Sequence, residues 1–274
     1  MARSTILLPT LLLATLPACV EIDPSYADSY TTTISATTDP STTDPTASST
    51  TAPDDSSGTP ACDCEPFQLC EAGTCTAPSR ILFVNLDGVT ATFGAANASQ
   101  DSHNLYPELA GTWDGYGADD ATRQTLLSTI TTQWEPFRVV VTDQRPPAGS
   151  APYLQAVVTA TPPPAGFEGV ASIAFPDCGD AIPQDMSFVF AQPGDAFGVS
   201  THANWVSLAF ARGLGLQYTN AADDLSGFGD RFVETCYPIA EATPCAAHHP
   251  EYCNDDPMQQ SSLLELQAIL GARG

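Results

Sequence analysis

Apolar positions fall in two zones of the chain, separated by a long polar stretch. The first zone is a single run, ILLPTLLLATLPAC, which starts at Ile6 behind Arg3. The second starts near residue 80 and alternates short strand-like runs with longer helical ones. ILFVNLDG, residues 81–88, reads as a buried strand ending in a turn. Between Asp119 and Phe137, Leu126, Leu127, Ile130 and Trp134 recur at helical spacing behind an Asp cap, and Pro136 closes the helix. RVVVTD (138–143) and YLQAVVTA (153–160) return as strands on either side of the loop QRPPAGSAP. VASIAF (170–175) and MSFVFAQ (186–192) have the same β-branched and aromatic texture. A second helix is expected from about Ser200 through Leu214, and a last one, SSLLELQAIL, ends before Gly271. The order strand, helix, strand, strand, strand, helix predicts one α/β (α+β) domain over residues 80–274.

The N-terminal run is too short to span a bilayer comfortably, and with Arg3 before it and small residues at its exit it reads as a signal peptide over residues 1–18. Leu16-Pro17-Ala18-Cys19 resembles a bacterial lipobox, which implies a lipidated Cys19 as the first mature residue. From Ser25 to Pro60, 19 of 36 residues are Ser or Thr, too little apolar surface to offset the entropy of ordering. Residues 19–61 are therefore expected to be a disordered tether that holds a folded head away from a membrane reached through the lipid. The implied location is the cell envelope or cell surface.

Cysteine usage divides the remainder. Beyond Cys19 there are two groups of four, Cys62, Cys64, Cys70 and Cys75, then Cys178, Cys236, Cys245 and Cys253. An even number in an exported chain points to disulfides, with pairs expected inside each group. Residues 62–79 read as a small Cys-rich module, and zinc on its four Cys is the competing reading. In the second group, Cys245 and Cys253 are expected to bridge, leaving His248 and His249 as an exposed pair in a disulfide loop.

Charge narrows the partners. The chain has 32 acidic and 8 basic residues, a formal net charge of −24, and every basic residue is Arg. Nothing here could neutralise a phosphate backbone, so nucleic acid is excluded as a partner.

Several segments together resemble a metzincin-type zinc metalloprotease domain: LFVNLDG, TQWEPFRVVVT, the short strand before PDCG, FVFAQ, and above all SLAFARGLGLQYTNAADDLS at 207–226. The resemblance covers nearly all of 80–274 and implies a twisted mixed sheet with two main helices and a disulfide-bearing C-terminal part. In that family the second helix carries HExxHxxGLxH, in which two His one turn apart and a third beyond a Gly bind zinc, and Glu polarises the water. Matching Gly215-Leu216 to the family's Gly-Leu puts Leu208 at the first His, Ala209 at the general base, Arg212 at the second His and Tyr218 at the third. The family's Met would fall near Ser226 and is also missing. Neither Leu nor a permanently protonated guanidinium offers a lone pair to a metal. The resemblance thus implies a degenerate scaffold with no cofactor, one that binds a protein, peptide or glycan ligand. The alternative is an active metalloprotease or other hydrolase with an unrecognised ligand set.

Other chemistry is weakly represented. His103, His202, His248 and His249 are the only histidines, and none lies four residues from another. His202, near the start of its helix, is expected in a surface or capping role. No GxSxG elbow or phosphate-binding GxxxxGK[ST] loop occurs. Asp119-Asp120, Asp223-Asp224 and Asp255-Asp256 read as solvated pairs, with weak calcium binding as their functional alternative.

Overall fold

A computed structural model describes residues 62–227, 229–241, 244–245 and 248–273. The signal segment 1–18, Cys19 and the tether to residue 61 lie outside the described residues.

The described chain opens with a hairpin of β1 (Leu69–Glu71) and β2 (Thr74–Thr76). Cys62–Cys70 and Cys64–Cys75 bridges staple it. Non-covalent contacts hold it to the rest. Arg138 Nε and Nη2 donate to the two Glu71 oxygens at 3.0 and 3.2 Å, and Phe67 packs against Ile81, Phe83, Ala98 and Tyr153.

Next come β3 (Arg80–Asn85), β4 (Gly88–Phe93), β5 (Ser102–His103) and β6 (Gly111–Asp114), then α1 (Asp120–Trp134). The strands β7 (Val139–Thr142), β8 (Tyr153–Thr159), β9 (Ser172–Ile173) and β10 (Met186–Phe190) follow, and α2 runs over Gly198–Gly213. The chain ends with β11 (Tyr237–Pro238), β12 (Gln259–Gln260) and α3 (Ser262–Leu270). The fold is mixed α/β. Its five-stranded sheet has the order β7-β3-β8-β10-β9, parallel throughout except for the antiparallel edge strand β9.

Both faces of this sheet are covered, which is why β3, β8 and β10 are buried along their whole lengths and read as continuous apolar runs. On one face, Leu82, Val84, Leu154, Ala156, Val158 and Val189 pack under Leu126, Ile130 and Trp134 of α1 and Val206 and Phe210 of α2. On the other, Val157, Met186, Phe188 and Phe190 meet Ala91, Leu105, Leu109 and Trp113, carried by a smaller sheet of order β5-β4-β6 and its flanking turn. The helices are also tied by polar contacts: Ser207 Oγ accepts from Trp134 Nε1 at 3.0 Å and donates to Gln133 Oε1 at 2.6 Å.

α1 forms where expected. The Asp119 carboxylate accepts the Thr122 N–H at 2.8 Å, and the hydroxyls of Thr125, Thr129, Thr131 and Thr132 each donate to a carbonyl four residues back. The bridges of the second Cys group correct one expectation. Cys245 pairs with Cys178 and Cys253 with Cys236, so Cys245 and Cys253 do not bridge each other. The reason is tertiary: the turn after α2 packs on the backbone at Asp177 to Gly179, which brings Cys178 beside the C-terminal segment.

Candidate functional site

The end of α2 is built by its sequence. Gly215, at φ +95°, follows the C-cap residue Leu214, its N–H bonding the Arg212 carbonyl at 2.9 Å, while the Leu216 N–H reaches back to Ala211 at 3.0 Å. This paired arrangement needs a left-handed residue at position 215. A side chain there would also place its Cβ 2.9 Å from the Asp177 carbonyl oxygen.

Beyond that turn the chain doubles back on the helix. Leu208, Ala209 and Arg212 are all buried, and Leu208 and Ala209 belong to the main core. Arg212 is held on three sides. Its Nη1 forms an ion pair with Glu241 and donates to the Leu216 carbonyl at 3.3 Å, and its guanidinium carbon lies 4.3 Å from the centre of the Tyr218 ring. Glu241 also accepts the Tyr218 N–H at 3.2 Å, which locks ring, carboxylate and guanidinium into one unit. Burial raises the Tyr218 phenol above its ordinary value, against the lowering pull of Arg212. Arg212 and Tyr218 therefore meet across the Gly215 turn, where the family pattern would bring two His together. Leu, Ala, a guanidinium and a buried protonated phenol are not a zinc donor set. These residues do not fit the metal that the resemblance implies.

The histidines lie apart from this unit. His202 corrects the surface or capping expectation: it is buried, with Nδ1 2.8 Å from the Tyr116 hydroxyl and Nε2 3.0 Å from Asp195 Oδ2. Asp195 tethers the approach to α2: its Oδ1 accepts the N–H groups of Phe197, the N-cap residue, and Gly198, the first helical residue, at 2.9 and 3.3 Å. Burial works against the Asp195 carboxylate, but the Phe197 N–H and His202 hold it below the usual carboxylate range. Sequence reading missed this Tyr116–His202–Asp195 chain, although an Asp a few residues before a helical run is a recognisable cap signal. Tyr116 is 1% exposed, so the chain serves to fasten α2 to the segment after β6.

His248 is a second correction. Its Nδ1 lies 2.6 Å from Glu265 Oε1, with both side chains only 6% exposed, because α3 packs over the segment that was expected to be an open disulfide loop. His249 faces outward and pairs with Glu251 at 3.1 Å. His103 is fully buried against Phe93 and Phe188. Burial lowers its basicity, and the nearby Leu109 carbonyl is engaged by Trp113 Nε1 at 2.9 Å.

The acid pairs do local work. Asp119 caps α1, Asp223 accepts the Tyr237 hydroxyl at 2.8 Å, and Asp256 accepts the Met258 N–H at 2.9 Å. Asp224 is buried and accepts both the N–H and hydroxyl of Ser226, yet burial still raises its carboxyl. Asp185 is the outlier. It is 5% exposed, and burial pushes its carboxyl up to about 7, aided by Asp177 and opposed by the Met186 N–H. Among the described residues, the one group of three His, Cys, Asp or Glu side chains whose donor atoms converge is Cys62, Cys64 and Cys75.

Compared with known proteins, the chain matches no family model and no curated protein.

Proposed function

We propose that this chain is an exported, lipid-anchored protein of the cell envelope, built on a metalloprotease-like scaffold that has lost its zinc ligands, and that it acts by binding a protein, peptide or glycan. The observation that carries the reading is the Arg212–Tyr218–Glu241 unit at the turn after α2. A fixed positive charge, countered by a carboxylate and covered by an aromatic ring, cross-links the same two chain segments that a metal would join, and it excludes a cation by its own charge. Further support comes from the mixed sheet with two long helices packed on one face and from the two bridges in its C-terminal part. Lipid on Cys19 and a Ser/Thr-rich tether would hold this domain outside the cytoplasm, where disulfides persist.

The test is a peptidase assay with and without added zinc, on the native chain and on a variant carrying Leu208→His, Ala209→Glu, Arg212→His and Tyr218→His together. The native chain should cleave no peptide under either condition, and the variant should gain measurable zinc affinity. Proteolysis by the native chain that chelators abolish and Arg212→Ala leaves intact would instead support an active hydrolase with an unrecognised ligand set.

A further inference from the structure

The loop between β4 and β5 carries a motif that plays no part at α2. Asn97-Ala98-Ser99 is the one place in the chain where Asn is followed two residues later by Ser or Thr. That spacing is the acceptor pattern for N-linked sugar, and it has chemical meaning only where the Asn amide is presented at a surface.

The backbone holds Asn97 in place. Its N–H donates to the Ser102 carbonyl at 2.8 Å and its carbonyl accepts the Ser102 N–H at 3.1 Å, while Asp101 turns the chain at φ +53°. Ala98 is fully buried with Ile81, Phe83 and Tyr153, and its N–H reaches the Gln184 carbonyl at 2.9 Å, so the loop is anchored to the body of the domain. The side chain is oriented as well. Asn97 caps the short 3-10 turn Ala98–Gln100, and its Oδ1 accepts both the Ser99 N–H at 3.1 Å and the Ser99 hydroxyl at 2.7 Å. Among the described residues nothing accepts from Asn97 Nδ2, and that nitrogen is not buried. Gly94, Ala95 and Ala96 precede it and Ser99 and Gln100 are exposed, so no bulky side chain of residues 94–99 stands in front of the amide.

An amide nitrogen is a weak nucleophile because its lone pair is shared with the carbonyl. Two donors on Oδ1 stabilise the form in which Nδ2 has given up a proton, and Ser99 supplies both. We propose that Asn97 is an N-glycosylation site that takes its sugar from a glycosyl diphosphate donor. The bond from Nδ2 to the sugar C1 forms as the bond from C1 to the diphosphate oxygen breaks. The bonding pair leaves with the diphosphate, and the Nδ2 proton passes to a basic group of the transferase. The inference rests on the reading that the chain is exported, because this modification belongs to exported chains, and on nothing at α2.

The test is mass spectrometry of the mature protein purified from the cells that make it. Every basic residue is Arg, so trypsin cuts after Arg80 and Arg123 and releases residues 81–123, which hold Asn97 and no other acceptor pattern. This peptide should carry the mass of a sugar, placed on Asn97 by electron-transfer fragmentation. A single monosaccharide would identify a nucleotide-sugar donor, and an oligosaccharide a preassembled lipid-linked one. Asn97→Gln and Ser99→Ala should each abolish the added mass, and Ser99→Thr should keep it. Where the first two variants fail to fold, the wild type and Ser99→Thr decide. The N-terminal peptide of the same digest reads export separately. A chain that begins at Cys19 with an unmodified 81–123 peptide would overturn the glycosylation and leave export standing, whereas an unmodified chain that still begins at Met1 would overturn both. Sugar that persists in Ser99→Ala would also overturn the proposal.

Discussion

At the scale of single residues, two buried charges govern how this protein responds to change. Removing Arg212 strips the Glu241 carboxylate of its counter-charge and the Tyr218 ring of its cation, while leaving both in a largely buried setting. Breaking such a pair from one side is more damaging than never having it, and Arg212→Ala should destabilise the fold by about 3 kcal/mol in urea unfolding. A loss within experimental error would mean that the Arg212 unit is not a cross-link. Asp185 acts through protonation. Its carboxyl binds a proton more tightly in the fold than in the unfolded chain, so its contribution is fully favourable below the ordinary value of 3.8 and is lost as pH rises through about 7. The full span is on the order of 4 kcal/mol. Wild-type protein should therefore lose stability between about pH 4 and 7 relative to Asp185→Asn, and parallel pH curves for the two would refute this role. His103 works in the opposite sense. Because burial lowers its basicity, its contribution is present above the ordinary 6.5 and is lost as pH falls below it. Neither effect is legible in the sequence, since PQDMSF and DSHNL read as turn-flanking polar residues until the sheets close over them. Arg212 is different: its place just before GLGL, where the resemblance to a metalloprotease puts a zinc ligand, singled it out, although its partner Glu241 carries no sequence signal.

Among the elements, legibility follows how local the determining physics is. α1 could be located from Asp119, the Leu126–Ile130–Trp134 stripe and Pro136, because cap, face and stop all lie within its own residues. The strands β3, β8 and β10 could be found because burial on both faces makes them continuous apolar runs. The β5-β4-β6 sheet was missed for the converse reason. β4 is mostly solvent-facing, β5 has two residues, and their parallel pairing is set by a loop and not by a turn motif. The Cys178–Cys245 bridge was out of reach as well, since it depends on how the turn after α2 meets Asp177. That turn gives the element-scale prediction. Gly215→Ala forces a Cβ into a left-handed residue and against the Asp177 carbonyl, and it should cost about 2 kcal/mol or more. A neutral substitution would show that α2 does not end as described.

Across the whole molecule, most of the few cations serve as cross-links. Arg80, Arg123, Arg138, Arg145 and Arg212 each pair with a carboxylate, in a chain where acids outnumber bases 32 to 8. All five pairs join parts of the chain at least 29 residues apart: Arg138 fastens the Cys-rich hairpin, Arg80 the loop before β10, and Arg212 the segment after α2. On the proposed reading, the last of these junctions takes the place of a zinc site. The measurement that tests this substitution most directly is the metal content of the purified, fully oxidised chain, read by native mass spectrometry before and after dialysis against zinc. The predicted result is the same mass in both samples, with no increment for a bound zinc. One zinc retained per chain through dialysis, and still retained when Arg212 is replaced by Ala, would contradict the account.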